Sequence, residues 1–324
     1  MTEVVHESVR FSSGRRFALW TIVSLYALAR LLQVFPGPVP RLGVVALHVI
    51  APALFALVHG SFLYGKRGIA SFICICLAVG GFFENLSVHT GFPFGHYYFT
   101  NVMGPKLGPI PILLALAYVG IGYVSWTVGR MIVGLDRPLT GWHMVACAAI
   151  AAFPMVAWDL SQDSVWATIL RAWVWRDGGA YFGVPVSNFL GWYFTVYLIF
   201  QLFAIYLRRG PATPARMPQA YWQLALVFYA ICAAGNLLLA IPNGGPLMVA
   251  DATGALWRVR DIVGVSALVS IFVMGAFVVV AWVRLADLQH RAELRMQSDY
   301  PAESQDLAMI GTAGGQDGSS LRVS

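Results

Sequence analysis

Charged residues are scarce in this sequence. Only 11% of its 324 residues are Asp, Glu, Lys or Arg, against about 25% in an average soluble domain. A soluble protein of this length needs a charged surface that this composition does not supply. Hydrophobic residues make up 58% of the chain, and they are grouped in runs of about 20, enough to cross roughly 30 Å of hydrocarbon. The composition therefore excludes a soluble globular protein.

Lipid offers no hydrogen-bonding partner to the backbone, so apolar runs of this length must be helices. We predict an all-α fold, a polytopic transmembrane helix bundle with about eight spans. The predicted spans cover residues 17–35, 43–63, 69–88, 109–133, 141–160, 187–207, 219–241 and 262–284.

Cysteine and nucleotide-binding motifs are also sparse. The four cysteines, Cys74, Cys76, Cys147 and Cys232, all lie in predicted spans, where they are expected to be small packing residues and not a disulfide framework. No glycine-rich dinucleotide fingerprint, P-loop or histidine box occurs. We therefore expect no cofactor and no metal. The net charge of +6 is attributed to basic loops, not to nucleic-acid binding.

The distribution of basic residues predicts the topology. The loops on the side of the N-terminus hold thirteen Lys and Arg residues and those on the other side hold six, which places both termini in the cytoplasm of a cell (inner) membrane protein. We expect a cytoplasmic N-terminal segment at 1–16, a transmembrane domain at 17–288 and a disordered cytoplasmic tail at 289–324.

Three long connections, at roughly 89–108, 161–186 and 242–261, then share the outer face. They hold most of the unusual polar and aromatic residues, so a functional site is expected at that end of the bundle.

Ionisable residues at membrane depth are costly, and each is a candidate functional group. Glu84 lies late in the third predicted span, where a buried carboxyl can hold a proton near neutral pH. Asn85 and His89 are four residues apart and share a helix face, while Glu84 points about 100° away from Asn85. The alternative is that Glu84 makes a structural hydrogen bond to a neighbouring helix.

Asp159 and Asp163 are also four residues apart, and they share a face if the fifth helix continues that far. Two carboxyls at this spacing could divide acid and base roles. The alternative is that Asp163 is a solvated helix end that pairs with Arg171.

Aromatic residues are dense near the predicted outer face. Most are expected to form an interfacial belt, while a few could line a site where a carbocation forms, since aromatic faces stabilise cations by up to ~2 kcal/mol. The residues concerned are Trp158, Trp166, Trp173, Trp175, Tyr181, Trp192 and Tyr193.

Two segments carry a family resemblance. They are TGFPFGHYYFTNVMGPKLGPIPILL (Thr90 to Leu114) and GGAYFGVPVSNFLGW (Gly178 to Trp192). With the Asp159/Asp163 segment, they resemble the membrane carotenoid-biosynthesis family that includes γ-carotene 1',2'-hydratase and bisanhydrobacterioruberin hydratase. The likeness is strongest over about 80–207.

The resemblance implies a carotenoid 1,2-hydratase (a hydro-lyase) that acts on an acyclic or monocyclic C40 or C50 carotenoid in membrane lipid, among other carotenoid-pathway enzymes. On the physical argument above, and not on the resemblance, we expect a catalytic set of Glu84, Asp159, Asp163 and His89, with Glu84 or Asp159 as the acid. The substrate-binding residues are expected to be Asn85, Phe92, Pro93, Phe94, Tyr97, Trp158, Tyr181, Asn188 and Trp192.

Two alternatives stay open from the sequence. One is a different non-redox carotenoid or terpenoid enzyme on the same scaffold, such as a cyclase or isomerase. The other is a proton-coupled transporter of lipids or small solutes, which would change no carotenoid chemically.

Overall fold

The computed structural model describes residues 13–35, 37–209, 217–241 and 245–299. Their helices are α1 Ser13–Leu32, α2 Arg41–Thr90, α3 Ile112–Val133, α4 Gly141–Ser164, α5 Val186–Arg208, α6 Gln219–Leu237, α7 Val259–Leu268 and α8 Gly275–Asp299. The strands are β1 Tyr97–Phe99, β2 Lys106–Leu107, β3 Ile110–Pro111, β4 Trp173–Trp175, β5 Met248–Ala250 and β6 Leu256–Arg258. A π-helical turn at 165–169 prolongs α4, and another at 269–274 joins α7 to α8.

The chain is an all-α membrane bundle, as predicted, but the count of eight spans is not reproduced. Among the described residues, six helices are long and apolar enough to cross a membrane. The helix α1 is not one of them, because three arginines lower its hydropathy. The second and third predicted spans also fall within the single 50-residue helix α2.

The helix α2 reverses direction at Gly65, whose φ of 67° and ψ of 175° are not helical. A Cβ placed on Gly60 would lie 2.6 Å from the Ile69 side chain, although nine residues of straight helix would separate them by about 13 Å. The two halves of α2 therefore form a hairpin and correspond to two of the predicted spans.

The three long connections meet at one end of the bundle, which we call the loop end. The first and second pair through β1 and β4, with Tyr97 opposite Trp175. The second meets the third where Arg171 donates a hydrogen bond of 2.8 Å to the Ala250 carbonyl. This confirms, for the described residues, that the connections share one face. That this face is the outer one stays a prediction.

The structure can be compared with the expected domain boundaries only in part at the two ends of the chain. The helix α8 continues through Asp299, so the start of the predicted tail at 289 falls within a helix, where Asp287 and Arg291 form an ion pair of 3.0 Å. Residues 1–12 and 300–324 lie outside the described residues. The proposed disorder of 300–324 therefore stays a prediction.

Candidate active site

Three carboxyl groups meet in the interior at the loop end. Glu84 comes from the second half of α2, and Asp159 and Asp163 come from the last turns of α4. Their exposed fractions are 4%, 4% and 1%. Glu84 lies within electrostatic range of both aspartates. We call these three side chains the carboxyl cluster.

Asn188, in the first turn of α5, joins the two aspartates. Its Nδ2 donates hydrogen bonds to Asp159 Oδ2 at 3.0 Å and to Asp163 Oδ2 at 2.5 Å. Since α4 remains regular through Ser164, the two residues stand one turn apart on the same face, as the four-residue spacing predicted. One amide group therefore fixes the separation of two carboxyls.

Glu84 is held by two phenols. Tyr118, from α3, donates a hydrogen bond to Oε1 at 2.7 Å, and Tyr97, from β1, donates one to Oε2. Both phenols are themselves buried. Hydrogen bonds to both oxygens hold the Glu84 carboxyl in one orientation, so its position is fixed from α3 and β1.

Asp163 is enclosed and does not form a solvated helix end. The Trp173 indole N–H donates a hydrogen bond of 2.7 Å to Oδ1, so both oxygens of Asp163 accept hydrogen bonds. Arg171, the alternative partner considered from the sequence, points away and bonds the Ala250 carbonyl. The pairing of Asp163 with Arg171 is therefore wrong.

Asp159 differs from the other two carboxyls. Its Oδ2 accepts the Asn188 hydrogen bond, while its Oδ1 accepts none from the described residues. Because a proton on a carboxyl needs an oxygen that is not already facing a donor, Asp159 is the member of the carboxyl cluster best suited to hold one.

An aromatic wall adjoins the carboxyl cluster. The Trp192 ring stacks on Tyr118 with centroids 4.7 Å apart and planes 10° apart. Trp158 and Phe94 pack near the same indole at 6.4 Å and 6.2 Å. Tyr181 donates a hydrogen bond to the Leu160 carbonyl at 2.9 Å, and its hydroxyl lies within electrostatic range of Asp159 and Asp163. The structure thus brings Phe94, Trp158 and Trp192 together.

His89 and Asn85 are not part of the carboxyl cluster. Both are exposed, and His89 Nδ1 hydrogen-bonds the Asn85 carbonyl at 2.7 Å. They line an open groove of about 560 Å³ along the exposed side of the second half of α2. The prediction that Glu84 lies on a different helix face from Asn85 and His89 is confirmed. Because the face that carries His89 points away from the carboxyl cluster, we remove His89 from the catalytic set.

The Phe92–Pro93 segment shapes the loop without facing the carboxyl cluster. Phe92 is 56% exposed, and the peptide bond between the two residues is cis. A Cβ on Gly191 would lie 2.8 Å from the Pro93 carbonyl oxygen, so α5 and this loop touch through their backbones. Pro93 therefore sets loop geometry, and nothing places Phe92 in the site.

Sequence reasoning missed Tyr118, and it named Trp173 only within a group of aromatics of which most were expected to form the interfacial belt and a few to line a site. The signal for Tyr118 was a phenol in the middle of an apolar span, since a buried phenol needs an acceptor. It also missed Arg30, which is 3% exposed and donates a hydrogen bond to Asn236 Oδ1. Asn236 in turn donates to Ser161 at 2.8 Å, which ties α1 and α6 to the segment of α4 that carries the two aspartates.

Comparison with known proteins agrees with this architecture. A family model described as "Carotenoid biosynthesis protein" matches residues 42–256, about two thirds of the chain. The chain belongs to this carotenoid biosynthesis family. Neither a curated protein nor a solved structure matches it significantly.

The matched region contains the whole carboxyl cluster, Asn188 and both loop segments that carry the resemblance. The protein is thus a membrane protein of carotenoid biosynthesis, a pathway whose substrates are long apolar polyenes. In such a setting the carboxyl cluster can exchange protons, and the aromatic wall can face an electron-poor carbon.

Proposed function

We propose that this protein is a cofactor-independent hydratase that adds water across the 1,2 (or 1',2') double bond of an acyclic carotenoid end group. The observation that carries the proposal is the carboxyl cluster with its neutral donors. Among the described residues, no Lys, Arg or His forms a hydrogen bond or ion pair with Glu84, Asp159 or Asp163. A buried carboxyl pair without a cation retains a proton that it can give away.

The reaction begins with protonation of the alkene. Asp159 transfers its proton to C2, the π electrons form the new C–H bond, and a tertiary cation remains at C1. Asn188 holds Asp159 and Asp163 at a fixed separation, so the proton donor is oriented before the substrate arrives. Positioned acids of this kind contribute roughly 10²–10⁴-fold to a rate.

The cation is then stabilised and captured. The faces of Trp192 and Tyr118 offer cation–π stabilisation of up to ~2 kcal/mol in a dry site, and the Glu84 carboxylate adds electrostatic attraction. A water molecule attacks C1 and loses a proton to the Asp163 carboxylate. The proton returns within the aspartate pair to Asp159, so atoms and charge balance without an oxidant or reductant.

The substitution that tests the acid is Asp159→Asn, which keeps the volume and removes the proton. In a host that makes an acyclic carotenoid, it should reduce hydrated product about 10²-fold or more, with normal membrane insertion. The matched control is Asp177→Asn, which alters an exposed aspartate of the same loop end that pairs with His96 at 3.0 Å. Equal product from wild type and Asp159→Asn would contradict the assignment.

A further inference from the structure

A small recess, partly open to solvent, lies beside the carboxyl cluster. It sits between the π-helical turn after α4 and the β5–β6 hairpin and leaves about 10 Å³ for the centre of a water molecule. That is roughly the space needed to hold one water. Thr168, Arg171 and Asp251 supply polar groups to its wall, and Ala252 lies on its hairpin side. We call this space the hairpin cavity.

Trp175 separates the hairpin cavity from the carboxyl cluster. Its indole lines the cavity and packs on the Tyr97 ring at 4.7 Å, and Tyr97 in turn bonds Glu84. Its N–H is buried and lies near the Asp163 carboxyl without completing a hydrogen bond with it. A buried donor that stops short of an acceptor is a place where a water can bridge the two.

The contacts that close the hairpin cavity are specific. Arg171 anchors the hairpin through the Ala250 carbonyl at 2.8 Å. Gly183, with φ of 87°, allows the loop before α5 to approach, since a Cβ there would lie 2.8 Å from Asp251 Cβ. Asp251 accepts hydrogen bonds from the Thr253 N–H and the Trp257 indole N–H, both at 2.9 Å. The second and third long connections therefore both contribute to the wall of the hairpin cavity.

We infer that the hairpin cavity is the binding and entry site for the nucleophilic water, which passes Trp175 to a position between its N–H and the Asp163 carboxylate. The inference rests on the proposed function. Asp163 takes the proton as the water oxygen bonds to C1, and Trp175 is a positioning residue that orients that oxygen. Entry of single waters limits the solvent that reaches the cation while still supplying its nucleophile.

The inference predicts how the cation divides between two fates. A captured cation becomes the tertiary alcohol, whereas one that meets no water returns a proton and becomes an alkene again. In D₂O the second route leaves deuterium in the recovered carotenoid. The ratio of deuterium exchange to hydration therefore reports water supply separately from proton delivery, and a general folding defect would lower both.

The test compares Ala252→Phe, which fills the cavity from the hairpin, with Ala255→Phe, which adds the same ring to an exposed position of that hairpin outside the cavity wall. In D₂O-equilibrated membranes, Ala252→Phe should raise the exchange-to-hydration ratio at least about tenfold, and Ala255→Phe should leave it at the wild-type value. Trp175→Phe, which keeps a ring and removes the N–H, should raise it as well.

An unchanged ratio in both Ala252→Phe and Trp175→Phe would overturn the inference, as would an equal rise in Ala255→Phe. If Ala252→Phe does not accumulate, Trp175→Phe alone decides in the same way. Failure of the proposed function has a different signature, because wild-type protein would then give no hydrated product, whether or not deuterium enters the carotenoid.

Discussion

Asn188 Nδ2 lies 2.5 Å from Asp163 Oδ2, and the same nitrogen reaches Asp159 Oδ2 at 3.0 Å. This single amide joins α5 to the end of α4 and keeps two buried carboxyls from separating. Both carboxyls would otherwise face an apolar interior, where unpaired polar groups are costly. The pairing is therefore a structural contact, and the proposed function also uses it to orient the acid.

The first prediction concerns this amide. Asn188→Leu keeps most of the volume and removes both hydrogen bonds, which contribute about 0.5–1.5 kcal/mol for the neutral Asp159 and about 1.5–3 kcal/mol for the Asp163 carboxylate. We expect a lower midpoint of thermal unfolding in detergent and at least a tenfold loss of hydrated product. Ser187→Ala, one residue earlier, removes a bond to the Phe94 carbonyl and should retain most activity. Equal effects from the two variants would contradict a special role for Asn188.

The second prediction separates the two roles of Tyr118. Tyr118→Phe removes the donor to Glu84 Oε1 and keeps the ring that stacks on Trp192, so product formation should fall about tenfold. Tyr118→Leu also removes the ring and should fall further, since an aromatic pair contributes about 0.5–1.5 kcal/mol beyond area burial. Rates of product formation in isolated membranes measure both. Full activity in Tyr118→Leu would rule out the aromatic wall.

The contacts of Tyr118 show where sequence reasoning stopped. Glu84, Asp159 and Asp163 were identified because carboxyls at membrane depth are rare, and the fold was predicted because apolar runs in lipid must be helical. Which phenol reaches Glu84 depends on how α3 is rotated against α2, and that rotation is set by packing such as Tyr118 against Gly80. His89 was assigned to the site because the residue pattern of a single helix shows which residues share a face, but not which face packs against the other helices.

The third prediction tests the hairpin within α2. Gly65 has φ of 67°, a conformation that costs an L-residue about 1–3 kcal/mol, so Gly65→Ala should lower the unfolding midpoint. Gly81 lies in regular helix on the same element with no atom within 4 Å of an added Cβ, and Gly81→Ala should be neutral or stabilising. Thermal unfolding in one detergent compares them directly. A stable Gly65→Ala variant would contradict the reversal at this residue.

The fourth prediction is a pH dependence at the β5–β6 hairpin. Burial raises the pKa of Asp251, but hydrogen bonds from Thr253, Trp257 and Ala255 lower it more, so its pKa lies below the ordinary value of 3.8. The stabilisation is therefore present above that ordinary value and is lost as the pH falls through the folded-state pKa. The protection factors of the hairpin amides, which correct for the intrinsic exchange rate at each pH, should fall below about pH 4. In Asp251→Asn, exchange should already be fast at neutral pH, and unchanged protection there would refute the assignment.

The most direct test of the central claim is the origin of the hydroxyl oxygen. Membranes that contain the wild-type protein and an acyclic carotenoid are incubated in H₂¹⁸O under ordinary oxygen, and in parallel in ordinary water under ¹⁸O₂. We expect a 1-hydroxy-1,2-dihydro product that carries ¹⁸O from water and none from oxygen gas, because water is the nucleophile that captures the cation. Label from ¹⁸O₂ would identify an oxygenase, and a carotenoid without any gain of water would exclude the hydratase.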